Sequence, residues 1–197
     1  SPAVDIKYHL NLYLFSLDFK KNLNIIPKVR LKLNRVWPSY WPKNGMPERT
    51  EPFTWIIKRK MAASWWPDFK LFEKYKKEGI KIIINCSEFD NRKDIPTHFR
   101  YFHINIPDFA TPTDSQLEKF FEITSKFEAN KDPIVVHCVA GCGRTGIMIV
   151  AWAVFNGYIP DGSDPVKWIR TRRPCCLETK EQMDLARKIA KKYQRQH

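Results

Sequence analysis

The sequence predicts an α/β fold with a central, mostly parallel sheet of about five strands flanked by helices. Two observations carry this. Short β-branched runs, such as those ending Ile82-Ile83-Ile84-Asn85 and Ile134-Val135-Val136, are separated by segments whose apolar residues recur at helical spacing. A Gly-rich stretch from His137 to Gly146 then joins the second run directly to an apolar helix, the strand-loop-helix order of sheets that take ligands at their carboxyl edge.

In chain order, residues 1–50 read as an extension that is partly strand-like. Leu10, Leu12 and Leu14 alternate with polar and aromatic neighbours, and Val29-Arg30-Leu31-Lys32-Leu33 has the period of a half-buried strand, a pattern shared with kinase-docking peptides. A Pro- and aromatic-rich linker, Trp37 to Pro47, forbids regular structure and separates the extension from a domain over residues 51–197. In that domain Phe53 to Ile57, Lys60 to Ala63, Ile80 to Asn85 and Arg100 to Ile104 read as strands. Helices are expected from Pro67 to Lys77, stopped by Gly79, and from Thr113 to Ala129, with Leu117, Phe120, Phe121, Thr124 and Phe127 on one face. Three more follow the Gly-rich stretch: Thr145 to Asn156, Pro165 to Arg172 and Thr179 to about Gln194.

The chain has 197 residues, of which 43% are hydrophobic and 14% aromatic, enough for a packed core. No apolar run reaches membrane-spanning length, no tripartite secretory signal is visible, and the opening Ser1-Pro2 is that of a trimmed chain. Five cysteines without regular spacing argue against a disulfide framework and for a reducing compartment. Cys138 and Cys142 lack the second Cys/His pair that a metal site needs, so no metal or other cofactor is expected. A formal charge of +13 points to polyanionic company: phosphoproteins, anionic surfaces or RNA.

The stretch His137-Cys138-Val139-Ala140-Gly141-Cys142-Gly143-Arg144-Thr145-Gly146 concentrates the chemistry. A strand ending at a Gly-rich turn that opens a helix brings several backbone N–H groups and a helix N-terminus around one small volume, which suits an anion. Val139, Ala140, Gly141, Cys142 and Gly143 would supply the amides. Arg144 would add a planar two-pronged donor. Cys138 sits where this positive potential is greatest, the setting in which a thiolate nucleophile is favoured. Thr145 has two readings: a hydrogen-bond donor to the sulfur, or a helix residue bonding local backbone. His137 is expected to be buried and to hold the loop in shape.

His-Cys-x5-Arg-Ser/Thr-Gly is the signature of the cysteine-dependent protein tyrosine phosphatases, and residues 51–197 resemble a compact dual-specificity phosphatase. The His-Cys-Val-Ala-Gly start of the loop is similar to that of the phosphatases of regenerating liver. The resemblance implies hydrolysis of phosphotyrosine, and of phosphoserine and phosphothreonine, through a cysteinyl phosphate. It also implies a general acid on a loop some thirty residues before the nucleophile. Asp108, 30 residues before Cys138 in Ile106-Pro107-Asp108-Phe109-Ala110-Thr111-Pro112, answers to that, while Asp114 reads as part of a helix start. A rate maximum at about pH 5–6.5 follows from an ionised thiol beside a protonated acid.

Ile169 to Gln182 is similar to the element that follows the active site in this family, in which Arg173 or Gln182 could face phosphate. Thr179-x-x-Gln182 is equally a capping box, and Gln182 stays open between the two roles. Cys175 stands where the family usually has a small residue. Cys86, at the end of a strand, is placed like a cysteine that regenerating-liver phosphatases can bond to the nucleophile. A reversible Cys86–Cys138 lock and a plain core cysteine both fit it, and Cys142 is an alternative partner.

Other functions remain on the same loop. An RNA 5′-triphosphatase would not need Asp108, a phosphoinositide phosphatase would be expected to carry lysine between Cys138 and Arg144, and a phosphate-recognising binding module would turn nothing over. Residence in the cytoplasm, the nucleus or both is expected.

Overall fold

The computed structural model describes residues 51–193. The strand-like run and linker expected before residue 51 lie outside the described residues, as does the expected end of the last helix. Five strands form one sheet in the order β1-β2-β5-β3-β4: β1 Phe53–Ile57, β2 Met61–Ser64, β3 Ile82–Asn85, β4 Arg100–His103 and β5 Ile134–His137. β1 and β2 make an antiparallel hairpin, and every other pairing is parallel. The mostly parallel sheet expected from the sequence is the one observed.

The period-2 alternation of the strands sorts their side chains onto two cores. Met61 and Ala63, Ile82 and Ile84, and Ile134 and Val136 face the larger core, while Ala62, Ile83 and Val135 face the smaller. The smaller is closed by α1 (Phe69–Lys77) through Leu71, Phe72 and Tyr75. The larger is closed by α2 (Asp114–Ala129), α3 (Gly143–Phe155), α4 (Pro165–Arg170) and α5 (Lys180–Tyr193).

Three of the helices begin at side-chain caps. Asp68 caps α1 by accepting from Leu71 N at 2.9 Å, Thr113 and Gln116 form a capping box on α2, and Asp164 precedes Pro165 at the start of α4. α3 is apolar on all sides and buried from Gly143 to Val154, so it is the central helix of the larger core. It starts two residues before the expected Thr145, which makes Gly143 and Arg144 part of its first turn.

The carboxyl ends of β3, β4 and β5 thereby open at one edge of the sheet. Cys86 follows β3, the segment Ile106 to Ala110 lies between β4 and α2, and Cys138 follows β5.

Candidate active site

The loop after β5 turns back on itself at Gly141, whose φ is +68°. A Cβ there would lie 2.2 Å from the carbonyl oxygen of Ser64 at the end of β2, so only glycine fits both the dihedral and the space. With this turn made, the Gly141 N–H points back and donates to the Cys138 sulfur at 3.2 Å. The neighbouring Val139 carbonyl accepts from Trp66 N at 2.9 Å, which fixes the near side of the loop to the chain after β2. Cys138 is buried, Val139 and Ala140 are half-buried, and Gly141 to Thr145 are buried.

His137 is buried at the end of β5, and its Nδ1–H donates to the Cys138 carbonyl at 3.1 Å. Burial lowers its pKa to about 4, so the ring is neutral at physiological pH. Thr145 is buried too, but its hydroxyl makes neither of the bonds expected of it: its Oγ1 has no partner among the described residues.

Arg144, buried in the first turn of α3, meets three groups. Its Nη1 donates to Glu88 and, at 3.0 Å, to the Ile106 carbonyl, and its Nη2 stands 2.7 Å from Asp108 Oδ1. Burial opposes this charge, but Cys138, Asp108 and Glu88 together outweigh it and raise the Arg144 pKa. Asp108 is carried on a turn closed by Ala110 N to the Pro107 carbonyl at 3.1 Å, with Phe109 at φ +58°. Burial raises the Asp108 pKa, Arg144 pulls it down and Glu88 pushes it up, for a net rise.

Gln182, which the sequence leaves between two roles, is buried and makes the capping box: its Oε1 accepts from Thr179 N at 3.3 Å, and Thr179 Oγ1 accepts from Gln182 N at 3.1 Å. Its Nε2 also donates to the Ala110 carbonyl at 3.3 Å, tying the Asp108 loop to α5. Arg173 turns behind the loop, where its Nε donates to the Gly141 carbonyl at 2.7 Å. Its Nη1 reaches the Glu51 carbonyl and Thr54 Oγ1, both at 2.8 Å.

The cysteine count argues against a disulfide framework, yet one disulfide is present among the described residues. Cys142 is joined to Cys175 in a disulfide, and Cys86, Cys138 and Cys176 are free and buried. Cys142 is thus no alternative partner for Cys138, and Cys175 departs from the small residue of the family because it clamps the loop. Cys86 is unbonded, its N–H donating to the His137 carbonyl at 2.7 Å. Burial first, and then the nearby Cys138, push its thiol pKa well up, while Arg144 pulls the other way.

Across this geometry, a family model described as Tc-R-P, a polymorphic toxin system DSP-PTPase phosphatase, matches residues 60–158, half of the chain. The chain belongs to this family of dual-specificity phosphatases. It is 27% identical over 161 residues to mouse dual specificity protein phosphatase CDC14A, covering 73% of this chain and 26% of that one. It is 33% identical over 109 residues to human tyrosine-protein phosphatase non-receptor type 12, covering 50% and 14%. Among solved structures, Tk-PTP in its active form superposes with a TM-score of 0.62 at 21% identity, over 73% of this chain and 99% of that one, and so shares the fold. The chain spans about a quarter or less of the length of these two curated relatives.

Two carboxylates of this phosphatase domain went unread in the sequence. Glu88 follows β3 by three residues, close enough to the carboxyl edge for its position to have been the signal. Glu178 stands against Gly143, in the first turn of α3, whose backbone N–H pulls its pKa down, and its only signal in the sequence is its place between Arg173-Pro174 and the capping box.

Two variants test this construction. Gly141→Ala is expected to destabilise the domain by at least about 1–3 kcal/mol from the left-handed backbone alone, read as a lower urea midpoint, with phosphate-loop function lost. Cys175→Ser is expected to lower stability by about 2–4 kcal/mol in oxidising buffer, a difference from wild type that disappears when both proteins are reduced.

Proposed function

We propose that this chain is a phosphoprotein phosphatase that hydrolyses phosphotyrosine, and also phosphoserine and phosphothreonine, through a cysteinyl phosphate on Cys138. The observation that carries the proposal is a convergence: the buried Cys138 thiol under an inward-facing amide, the Arg144 guanidinium, and a carboxyl, Asp108, that its surroundings make harder to ionise.

In the free site Asp108 stands on Arg144, the donor that a phosphate oxygen needs. An entering phosphate takes that donor and frees the carboxyl for the leaving oxygen. The Cys138 thiolate then attacks phosphorus in line, the S–P bond forms as the P–O bond to the leaving group breaks, and the Asp108 proton passes to that oxygen. Charge on the equatorial oxygens is met by Arg144 and by the amides of the loop, donors already in position before the reaction. In the second half, water loses a proton to Asp108 and attacks phosphorus, and the S–P electron pair returns to sulfur. His137, neutral and spent on the Cys138 carbonyl, shapes the loop and moves no proton.

The uncharged stretch between Cys138 and Arg144 favours a phosphoprotein over a phosphoinositide, and Asp108 at the site favours it over an RNA 5′-triphosphate. The excess of basic residues supports acidic partners in general. We propose that it works in the cytoplasm, the nucleus or both.

The test is kcat for a small aryl phosphate across pH 4–9. A bell centred at about pH 5–6.5 is expected. Its basic limb falls as Asp108 loses its proton, and the raised pKa of that group moves the fall to higher pH than an ordinary carboxyl would give. Asp108→Asn should remove that limb and lower kcat by roughly 10²–10⁴-fold, and Cys138→Ser should abolish turnover. A rate that climbs steadily into alkaline pH contradicts the acid assignment. Phosphate binding without turnover by the wild type leaves a recognition module in its place.

A further inference from the structure

The segment after α4 does more than wall the loop: it delivers a carboxylate to it. Arg173 holds the Gly141 carbonyl, Cys175 is bonded to Cys142, Leu177 N donates to the Cys142 carbonyl at 3.4 Å, and the Glu178 carboxylate stands against Gly143. The chain turns sharply into Glu178 through Leu177, at φ +64°, and Glu178 N is held by Gln182 Oε1 at 2.8 Å. A Cβ on Gly143 would lie 2.4 Å from Glu178 Oε2, so the absence of a side chain at 143 is what admits the carboxylate. That amide belongs to the anion-binding turn between Cys138 and Arg144. A phosphate dianion and a carboxylate compete for it.

We propose that Glu178 is a proton-linked positioning residue of the phosphate site: as a carboxylate it occupies the Gly143 amide, and on taking a proton from solvent it yields that amide to the substrate phosphate. The inference rests on the phosphatase reading above. It adds a group that reading does not use.

The charges around Glu178 give the direction. Asp108 faces it from the loop before α2, Arg144 and the Gly143 amide from α3, and its neighbour on α5 is the neutral Gln182. Glu88 and Cys138 bear on the same Arg144. Burial is the largest influence and raises the Glu178 pKa, Asp108 raises it further, and Gly143 and Arg144 pull it back, leaving it at about 7. A bound dianion acts as a second Asp108 and also takes Arg144 and the amide for itself. Both effects favour the protonated carboxyl, so phosphate and proton bind together. Asp108 acts on the chemical step and is read in kcat, whereas Glu178 acts on binding and is read in KM.

The experiment is calorimetric titration of the disulfide-intact protein with tungstate, a phosphate mimic that stays a dianion near neutral pH, in buffers of different ionisation enthalpy. The wild type is expected to take up close to one proton per site between about pH 7 and 8, with Kd rising about tenfold per pH unit there. In Glu178→Gln the uptake and the pH dependence of Kd in that window are expected to vanish. In Asp108→Asn the uptake is expected to persist but move to lower pH, because one of the charges raising Glu178 is gone. Tungstate binding by the wild type without proton uptake, or undiminished uptake in Glu178→Gln, overturns this inference and leaves the phosphatase reading standing. No tungstate binding at any pH overturns both. Absence of uptake in the wild type overturns the inference even if Glu178→Gln fails to fold, and persistence of the uptake in Asp108→Asn separates Glu178 from Asp108 as its source.

Discussion

The site depends on the contact between Gly141 and the end of β2. The loop turns at Gly141 through a left-handed backbone, and the Ser64 carbonyl leaves no room beside it for a Cβ. The turn that results aims its own amide at the Cys138 sulfur and its carbonyl at the Arg173 guanidinium. Ser64 is fixed in turn by the hydroxyl of buried Tyr75, 2.6 Å from its Oγ. Strand, loop and helix are therefore locked together at one point, and the smaller core behind α1 reaches the site through Tyr75 and Ser64.

Around that loop the chain gathers carboxylates: Glu88 and Asp108 share Arg144, while Glu178 stands against Gly143. Arg173 is buried behind the loop, hydrogen-bonded to carbonyls and a hydroxyl; burial lowers its pKa, and Cys176, Cys138, Tyr75 and Glu51 pull it back up. Such an arrangement is poised rather than relaxed. Holding Glu178 with a raised pKa means that the folded state binds more protons than the unfolded one between the ordinary glutamate range and about 7, so this group loses stability for the fold as pH rises through that window. A carboxylate retained there despite that loss is better explained by work at the loop than by packing.

Much of this is legible in the sequence itself. Short apolar runs mark β2, β3 and β5, continuous because both faces of those strands are buried, and α1 to α5 begin within two residues of the positions their caps and patterns indicate, because those signals are local. The reactive loop is legible for the same reason, as Cys138, Gly141, Gly143 and Arg144 lie in one short stretch. What the sequence hides is contact between stretches far apart in the chain. A count of five cysteines conceals the Cys142–Cys175 pair, 33 residues apart, because pairing is a matter of proximity in the fold. Glu88 and Glu178 look like any surface acid in a chain with 21 acidic residues until the fold carries them to Arg144 and Gly143. Gln182 cannot be divided between cap and site from its spacing alone, and its side chain serves both the cap and the Asp108 loop.

The central claim is that Cys138 carries the phosphoryl group. The direct measurement is rapid acid quench of the protein during turnover of an aryl phosphate, followed by mass spectrometry of the cysteine-bearing peptides. The account predicts one phosphoryl group on Cys138, on no other cysteine, formed and lost at rates that match turnover. Steady release of phosphate with Cys138 never phosphorylated would contradict it.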